Sequence, residues 1–299
     1  MSIETFVPEL WNAAIQEPYE KSLVFGQPSI ASTAYQGAIT GVGDTIHINT
    51  LTAPTIRTYD KNADITIEDV ATTESVLHID QGQYFAFGVN DVDKVQAAGD
   101  FAGPALNQAS ISLRDSADKY LAGQLKDGAL AANKLGTIKV VNDRPELVGT
   151  GQTTAFKVLV QLSEKLNAQS VPTTGRYVVV GPKTYSALLM DERFTRVDAS
   201  GAEDGLRNGI VGRAIGFDVL VSNNVPSTSG RELAIAGVAG AFAFASQLVE
   251  TEALRDTLRF RDIVRGLNVY GALVTRPEGI ATADLDVADP IAGGAEGNA

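Results

Sequence analysis

Apolar and polar residues alternate along residues 44–90 with the period of a β-strand. In an extended chain successive side chains point to opposite faces, so a period of two predicts strands with one apolar face. A polar, turn-forming stretch at residues 59–64 separates the two halves of the pattern. We predict a long β-hairpin with a charged tip, and because its large apolar residues are few, we expect it to need a partner surface. The alternating positions are Ile46, Ile48, Ile65, Ile67, Leu77, Ile79, Phe85, Phe87 and Val89.

A helical pattern follows the hairpin and is the clearest periodic signal in the chain. Pro104 suits the first turn of a helix, and Gly128 marks its end. The apolar positions between them form one stripe, which predicts a long helix packed on a core. A shorter helix, capped by Asn90 or Asp91, is expected before it. The stripe consists of Leu106, Leu113, Ala117, Tyr120, Leu121 and Leu125, and the residues expected to face outward are Arg114, Asp115, Asp118 and Lys119.

From residue 147 onward, helical and extended patterns alternate. Thr153 or Thr154 caps one predicted helix, and Pro182 begins another. The longest uncharged stretch, residues 233–249, has a period of two at its centre and contains glycines. It therefore predicts a strand, a turn and a second strand rather than a membrane-spanning helix. The predicted strands are residues 176–180, 210–215, 217–221, 232–236 and 259–277.

The first 43 residues predict an arm rather than a folded unit. A short amphipathic pattern surrounds Trp11, and residues 28–43 are small, polar and rich in glycine. Trp11 and Phe25 must be buried against something, and we expect them to dock the arm on neighbouring subunits. The last residues, 287–299, are too small and polar to order themselves, so we predict a flexible tail.

Composition and charge exclude several classes of protein. The chain has 299 residues with a formal net charge of −12, and it contains no cysteine. Disulfide frameworks, thiolate zinc sites, iron–sulfur clusters and cysteine nucleophiles are excluded. The negative charge argues against a protein that wraps nucleic acid, because that needs excess lysine and arginine. The N-terminus has neither the basic region nor the apolar core of a signal peptide, so we expect a cytosolic origin and no membrane partner.

No pattern in the chain carries catalytic chemistry. Residues 175–184 resemble a phosphate-binding loop, but the two glycines are one residue too far apart and Pro182 precedes Lys183. We expect a turn from a strand into a helix there. His47 and His78 both lie in the hairpin and lack the further ligands of a metal site. We therefore expect no catalytic residue, no cofactor, no metal and no enzyme activity.

Acidic and basic residues are interleaved along residues 250–265. The cations are all arginines, which suit bidentate pairing with carboxylates at interfaces. Two explanations stay open: a solvated surface whose charges neutralise one another, or pairing between subunits. In the second case Arg255, Arg259 and Arg261 are the candidate contact residues.

Several segments, taken in order, resemble the major capsid proteins of tailed double-stranded-DNA phages. The resemblance is to the HK97 fold, and within it to the P22-coat-like group. It covers residues 6–283 and depends on the order of the segments rather than on one signature. The segments are Trp11 with EKSLVF at 20–25, YQG at 35–37, GDTIHI at 43–48, QYFAF at 83–87 with DVDK at 91–94, RYVVV at 176–180 with Pro182, residues 212–221 with NNVP at 223–226, and RGLNVYG at 265–271.

The resemblance implies an α+β, HK97-like fold and a division of the chain. Its parts would be an N-terminal arm (1–43), an extended β-hairpin loop (44–90), a spine helix with the peripheral domain (91–146), an axial domain (147–250), return strands of the peripheral domain (251–286) and a tail (287–299).

The resemblance also implies a function and partners. The chain would assemble with copies of itself, as pentamers and hexamers, into an icosahedral virion shell in the host cytoplasm. The shell would enclose packaged double-stranded DNA without sequence-specific binding. Because the chain starts at the arm, a separate scaffolding protein is implied, with a portal and with or without a decoration protein. The nearest alternative is an encapsulin-type bacterial nanocompartment; a cytosolic α/β enzyme or ligand-binding protein is a more distant one.

Overall fold

The structure is a computed structural model, and it describes residues 23–34, 44–51, 54–58, 61, 64, 67–69, 72–90, 102–141, 151–191, 210–257 and 259–287. Three α-helices and thirteen strands lie within these ranges. The helices are α1 (Ala102–Gly128), α2 (Ala155–Ala168) and α3 (Pro182–Met190); short 3-10 helices span Ala131–Asn133 and Pro277–Gly279. The strands are β1 (Thr45–Leu51), β2 (Thr72–His78), β3 (Gln81–Asn90), β4 (Lys134–Val140), β5 (Gln152–Thr153), β6 (Arg176–Val180), β7 (Ile210–Ala214), β8 (Phe217–Val221), β9 (Ser227–Thr228), β10 (Arg231–Val238), β11 (Phe242–Arg255), β12 (Arg261–Val274) and β13 (Ile280–Val287).

The strands form three sheets. β1 and β2 make a separate antiparallel hairpin, and β11, β12 and β3 make a three-stranded antiparallel sheet in that order. The largest sheet has the order β5-β4-β13-β10-β6-β8-β7, with β9 pairing to β10. Its pairs β13–β4 and β6–β8 are parallel, whereas β10 is antiparallel to both neighbours.

The large sheet lies between two hydrophobic cores, and successive side chains of its central strands point alternately into one core and the other. In β6, Tyr177 and Val179 pack into a core shared with α1 and the start of the three-stranded sheet. Val178 and Val180 point to the opposite face, where they pack with α2 and α3. The large sheet is therefore covered on both faces, which explains why all five residues of β6 are buried.

Most predicted elements after residue 100 are confirmed. Helix α1 ends at Gly128 as expected, and Thr154 caps α2 by accepting a hydrogen bond from the Lys157 amide. The uncharged stretch forms β10, a turn and the start of β11. None of the described helices is long and apolar enough to cross a membrane. The shorter helix expected after Asn90 lies outside the described residues. The predicted tail, 287–299, begins one residue too early, because Val287 is the buried last residue of β13, and the rest of it lies outside the described residues.

Two local predictions are wrong. Ile67 lies in a segment without strand structure and is 90% exposed, because none of the other described segments covers it. Asp118 was expected to face outward but is only 2% exposed. It is buried because the arm covers this side of α1, as described below.

Strand β3, which the alternating pattern placed in the hairpin, is part of the three-stranded sheet instead. The hairpin ends at His78, and β3 pairs with β12 over its whole length. Likewise, the large sheet draws β4 and β13 from outside residues 147–250. The domain boundaries taken from the resemblance stay predictions.

Candidate subunit contact site

Two cross-strand ion pairs lie near the far end of the hairpin formed by β11 and β12. Arg255 Nη1 donates to Asp262 Oδ1 at 2.9 Å, and Arg261 Nε donates to Asp256 Oδ2 at 2.5 Å. In the single chain both arginines thus have carboxylate partners of their own. For these two residues the geometry agrees with a surface whose charges neutralise one another.

The tip between β11 and β12 presents Arg259 and Phe260. Arg259 is exposed and has no carboxylate partner among the residues that the structure describes. Phe260 is 85% exposed. An aromatic ring beside an arginine is the combination that protein interfaces favour. Of the three arginines proposed from the sequence, Arg259 is the one without a carboxylate partner among the described residues.

The outer face of the three-stranded sheet is partly apolar and uncovered. Tyr84 on β3 is 76% exposed, and Leu254 on β11 is 43% exposed. Between them Arg265 pairs with Glu252, with Nε 2.7 Å from Oε2. The β3 residues on this face other than Tyr84 are Gly82, Ala86 and Gly88, all exposed. This face, the outer sheet face, thus presents exposed apolar and small side chains around one ion pair.

The chain beyond the β1–β2 hairpin forms an exposed extension. The Thr55 amide and hydroxyl both donate to the Glu68 carboxylate, at 3.3 and 3.2 Å, so the two sides of the extension are held together. Ile56 is 97% exposed and Ile67 is 90% exposed. The hairpin extension, residues 54–58 and 67–69, therefore carries apolar side chains that its own subunit does not cover.

The root of the hairpin, in contrast, is packed on its own subunit. Leu77 and Ile79 lie in a small core with Ala243, Ala245 and Val269 of the three-stranded sheet. At the base of the hairpin, the partner surface that the sequence predicts is therefore supplied by the subunit itself, and only the extension lies away from the subunit's core.

A side-chain contact orients the corner between β2 and β3. Tyr120 on α1 donates its hydroxyl to Asp80 Oδ1 at 3.2 Å. Burial, reinforced by this carboxylate, raises the pKa of Tyr120, so the hydroxyl stays a hydrogen-bond donor. Its ring also packs against the ring of Tyr270 in an edge-to-face arrangement, with the centroids 5.4 Å apart.

The described part of the arm packs on its own subunit. Leu23 and Phe25 are 2% and 0% exposed, and both lie in the core that α1 shares with the large sheet. Ser32 continues the contact, because its amide donates to the Phe242 carbonyl at 2.8 Å. Phe25 was expected to dock on a neighbour, but it has no surface left for one. Trp11 lies outside the described residues.

Asp118 holds the base of the arm. Its Oδ1 accepts the Val24 amide at 3.1 Å and the Phe25 amide at 3.2 Å. Asn224, in the loop between β8 and β9, hydrogen-bonds to Asp118 and also to Asp115. Desolvation raises the pKa of Asp118, and these hydrogen bonds offset only part of the shift.

A half-buried carboxylate occupies the place where the phosphate-loop resemblance would put an anion. Glu232 on β10 accepts the Lys183 amide at 3.1 Å and the Thr184 amide at 3.0 Å. A side chain at Gly181 would collide with it, since a Cβ there would lie 2.4 Å from the Glu232 Cδ. The N-terminus of α3 is thus capped by the protein itself, and the expected strand-to-helix turn is confirmed.

The two histidines do not form a site together. Thr45 lies opposite His78 in the hairpin register, and His47 lies opposite Val76. His47 Nδ1 contacts the Glu74 carboxylate instead. No cluster of metal-ligating side chains exists among the described residues.

A groove of about 710 Å³ runs between β3 and α1. Phe85, Phe87 and Leu113 supply its apolar lining, and Gln83 and Gln108 its polar lining. β3 is an edge strand of its sheet, so its outer backbone groups have no strand partner within the described chain. Open edges with an adjoining apolar groove suit an extended segment from another chain.

The three-sheet architecture with one long helix defines a known class of fold. A solved structure from Mycobacterium phage Che8 is 29% identical, with a TM-score of 0.66, and the match covers 88% of this chain and 91% of that one. The capsid of Ralstonia phage GP4 matches with a TM-score of 0.66 at 12% identity over 91% of both chains. These likenesses define the HK97-like fold of tailed-phage capsid proteins.

The family follows from the sequence match. A family model described as phage capsid protein matches residues 52–283, which is most of the chain. The chain belongs to this family, and its function is that of a shell-forming major capsid protein of the virion. None of the curated proteins matches it. A virus-like particle from Pyrococcus furiosus shares the fold at 12% identity and a TM-score of 0.56, over 92% of this chain and 98% of that one.

Proposed function

We propose that copies of this chain assemble, as pentamers and hexamers, into an icosahedral shell that encloses packaged double-stranded DNA. The observation that carries the proposal is the pair of uncovered apolar surfaces: the hairpin extension with Ile56 and Ile67, and the outer sheet face with Tyr84 and Leu254. Isolated soluble subunits rarely leave such surfaces open without a partner.

The hairpin extension of one copy would lie on the outer sheet face of the next. Its exposed isoleucines match the apolar and small side chains of that face, and the Arg265–Glu252 pair at its centre leaves little net charge to desolvate. Arg259 and Phe260 would make a second contact at the tip of the β11–β12 hairpin. The groove between β3 and α1 would receive the Trp11 segment of a neighbouring copy.

Many modest contacts suffice for a shell. Each subunit in a closed symmetric assembly makes several contacts at once, so that the effective concentration of each further contact is high. Weak individual contacts also allow wrongly placed subunits to leave. This is why we expect no single contact residue to decide whether the subunit itself folds.

The acidic charge fits a container for DNA. With a net charge of −12 the wall repels phosphates, so the packaged polymer stays free of it. Filling and closing the shell then require other proteins: we propose a separate scaffolding protein and a portal, with or without a decoration protein, acting in the host cytoplasm. Nothing in this scheme asks the chain for an enzymatic step.

The test is negative-stain electron microscopy combined with size-exclusion chromatography of the expressed chain, alone and with its genomic neighbours. The expected result is closed shells, either from the chain alone or with a scaffolding gene. A well-behaved species near the 31.5 kDa monomer mass that never forms shells in either case would overturn the proposal. Shells that form around a neighbouring cargo enzyme, with no terminase or portal gene nearby, would instead establish the nanocompartment alternative.

A further inference from the structure

The buried carboxylate of Asp118 lies where three separate parts of the chain meet. Asp118 itself belongs to the middle of α1, the amides of Val24 and Phe25 belong to the arm, and Asn224 belongs to the loop between β8 and β9 of the large sheet. Asn224 is itself held, because its amide donates to Ser222 Oγ at 3.1 Å. A helix, an arm and a sheet loop are thus fixed to one another through a single side chain.

Because Asp118 is buried, the loss of any of its hydrogen-bond partners is costly. Asp118 is 2% exposed, so water cannot replace a lost partner. Arg114 on the same helix acts on Asp118 as a charge, and Asp115 shares the hydrogen-bond partner Asn224; the arm residues and the sheet loop supply no charge among their described contacts. The Val24 and Phe25 amides would in turn be left without an acceptor if the carboxyl were removed.

The arm segment continues from this point to a second anchor. Its residues 30 and 31 are fully buried, and Ser32 hydrogen-bonds to β11 in both directions through Phe242 and Phe244. The segment therefore bridges α1 and the three-stranded sheet. Its direction at Leu23, where the preceding 22 residues join, is set by the two amides that Asp118 holds.

We propose that Asp118 is a positioning residue for assembly: it fixes the direction in which the N-terminal arm leaves the subunit and couples the arm to α1 and to the large sheet. This inference rests on the proposed shell function, because the direction of the arm matters only if residues before Leu23 reach a neighbouring copy. Within the subunit, the coupling means that a pull on the arm is transmitted to the helix and to the loop that carries Asn224.

The test compares Asp118→Ala and Asp118→Asn with Asp127→Ala in the full chain. Asp127 lies on the same helix and is exposed, so it controls for the loss of one charge from α1. Hydrogen exchange of the unassembled subunit measures the arm, and shell yield by sedimentation measures assembly. In Asp118→Ala we expect amides 24–32 to exchange about ten- to a hundredfold faster, with β6 and β10 unchanged. Asp118→Asn keeps an acceptor oxygen and should lie closer to the wild type.

Each outcome decides a separate point. If the arm amides exchange equally fast in Asp118→Ala and Asp127→Ala, Asp118 does not anchor the arm. If exchange is also faster throughout β6 and β10, Asp118 contributes to the stability of the whole subunit and not to the arm in particular. A freed arm with a normal shell yield would overturn the role in assembly. If the wild-type chain forms no shells while the exchange result holds, the shell function fails and the anchor within the subunit stands.

Discussion

Gly271 on β12 lies so close to His78, the last residue of β2, that a Cβ on the glycine would be 2.1 Å from the His78 carbonyl oxygen. No side chain fits there, because the obstacle is backbone and cannot rotate away. This close approach fixes the hairpin root against the three-stranded sheet, beside the small core of Leu77 and Ile79. The direction of the hairpin extension is therefore set by backbone contact as well as by side chains.

Gly271→Ala should separate β12 from the hairpin root. We expect the free energy of unfolding to fall by about 1–3 kcal/mol, the usual cost of overpacking, as measured by urea denaturation. Gly123→Ala is the matched control: it lies in α1 with nothing within 4 Å of an added Cβ, and alanine in a helix is favoured over glycine by about 1 kcal/mol. Equal stability of the two variants would contradict the account of the hairpin root.

Glu232→Ala should leave the first turn of α3 without its acceptor. The Lys183 and Thr184 amides and the Thr184 hydroxyl all donate to this carboxylate, so we expect a loss of about 1–3 kcal/mol in thermal or urea unfolding. Glu164→Ala, on the exposed side of α2, removes the same charge and should change stability little. A Glu232→Ala protein as stable as Glu164→Ala would show that the cap is dispensable.

Lowering the pH should stabilise the folded chain relative to a variant that cannot titrate at position 118, because protonation removes the cost of burying a charged carboxylate. The pKa of Asp118 is raised in the folded chain, so its protonated form is the favoured one there. The associated stability is fully present below the unfolded pKa of about 3.9 and is lost as the pH rises through the higher folded pKa. The difference in unfolding free energy between wild type and Asp118→Asn should therefore shift in favour of the wild type as the pH is lowered through that window. A difference that is independent of pH would refute the burial argument.

Arg259→Glu should reduce shell formation while the subunit keeps its fold. Because Arg259 is exposed and has no described carboxylate partner, its reversal should change the unfolding free energy by no more than about 0.5 kcal/mol. Arg276→Glu, an exposed reversal elsewhere, should assemble normally. Normal shells from Arg259→Glu, seen by electron microscopy and counted by sedimentation, would remove Arg259 from the interface.

Arg261→Glu should behave differently from Arg259→Glu. Its partner Asp256 has a side chain only 9% exposed, so the reversal would leave two carboxylates facing each other at the end of the hairpin. We expect a loss of about 1–3 kcal/mol in the unassembled subunit, measured by urea denaturation. An unchanged unfolding curve would mean that the pair contributes nothing in solution.

The periodicity of the sequence correctly predicted those helices and strands whose buried faces pack on apolar residues. The buried run of β6, the proline that opens α3 and the end of α1 at Gly128 follow from local pattern, and the order of segments predicted the fold class. The pattern failed where burial depends on a distant segment. Ile67 alternates like a strand residue but has nothing to cover it, whereas Phe25 is covered by its own subunit rather than by a neighbour.

The structural roles of Asp118 and Glu232 were not predicted either, because the amides that they accept are distant in sequence. Asp118 meets amides 93 and 94 residues away, and Glu232 meets amides 48 and 49 residues away. A signal did exist for Asp118, since it precedes Leu121 and Leu125 by three and seven residues and so lies on their apolar stripe. A charge on the buried side of a helix predicts a partner, although the sequence does not say which one.

The position of β13 has a consequence for how the protein is made. This strand, the last described element in the chain, lies inside the large sheet, between β4 and β10. Until residues 280–287 have left the ribosome, the sheet is split into two halves that share no backbone hydrogen bonds across the gap. We therefore expect subunits cut short before this strand to leave the sheet open and to fail to enter a particle. On this expectation, the order of the strands admits to the lattice only copies whose last strand has been made.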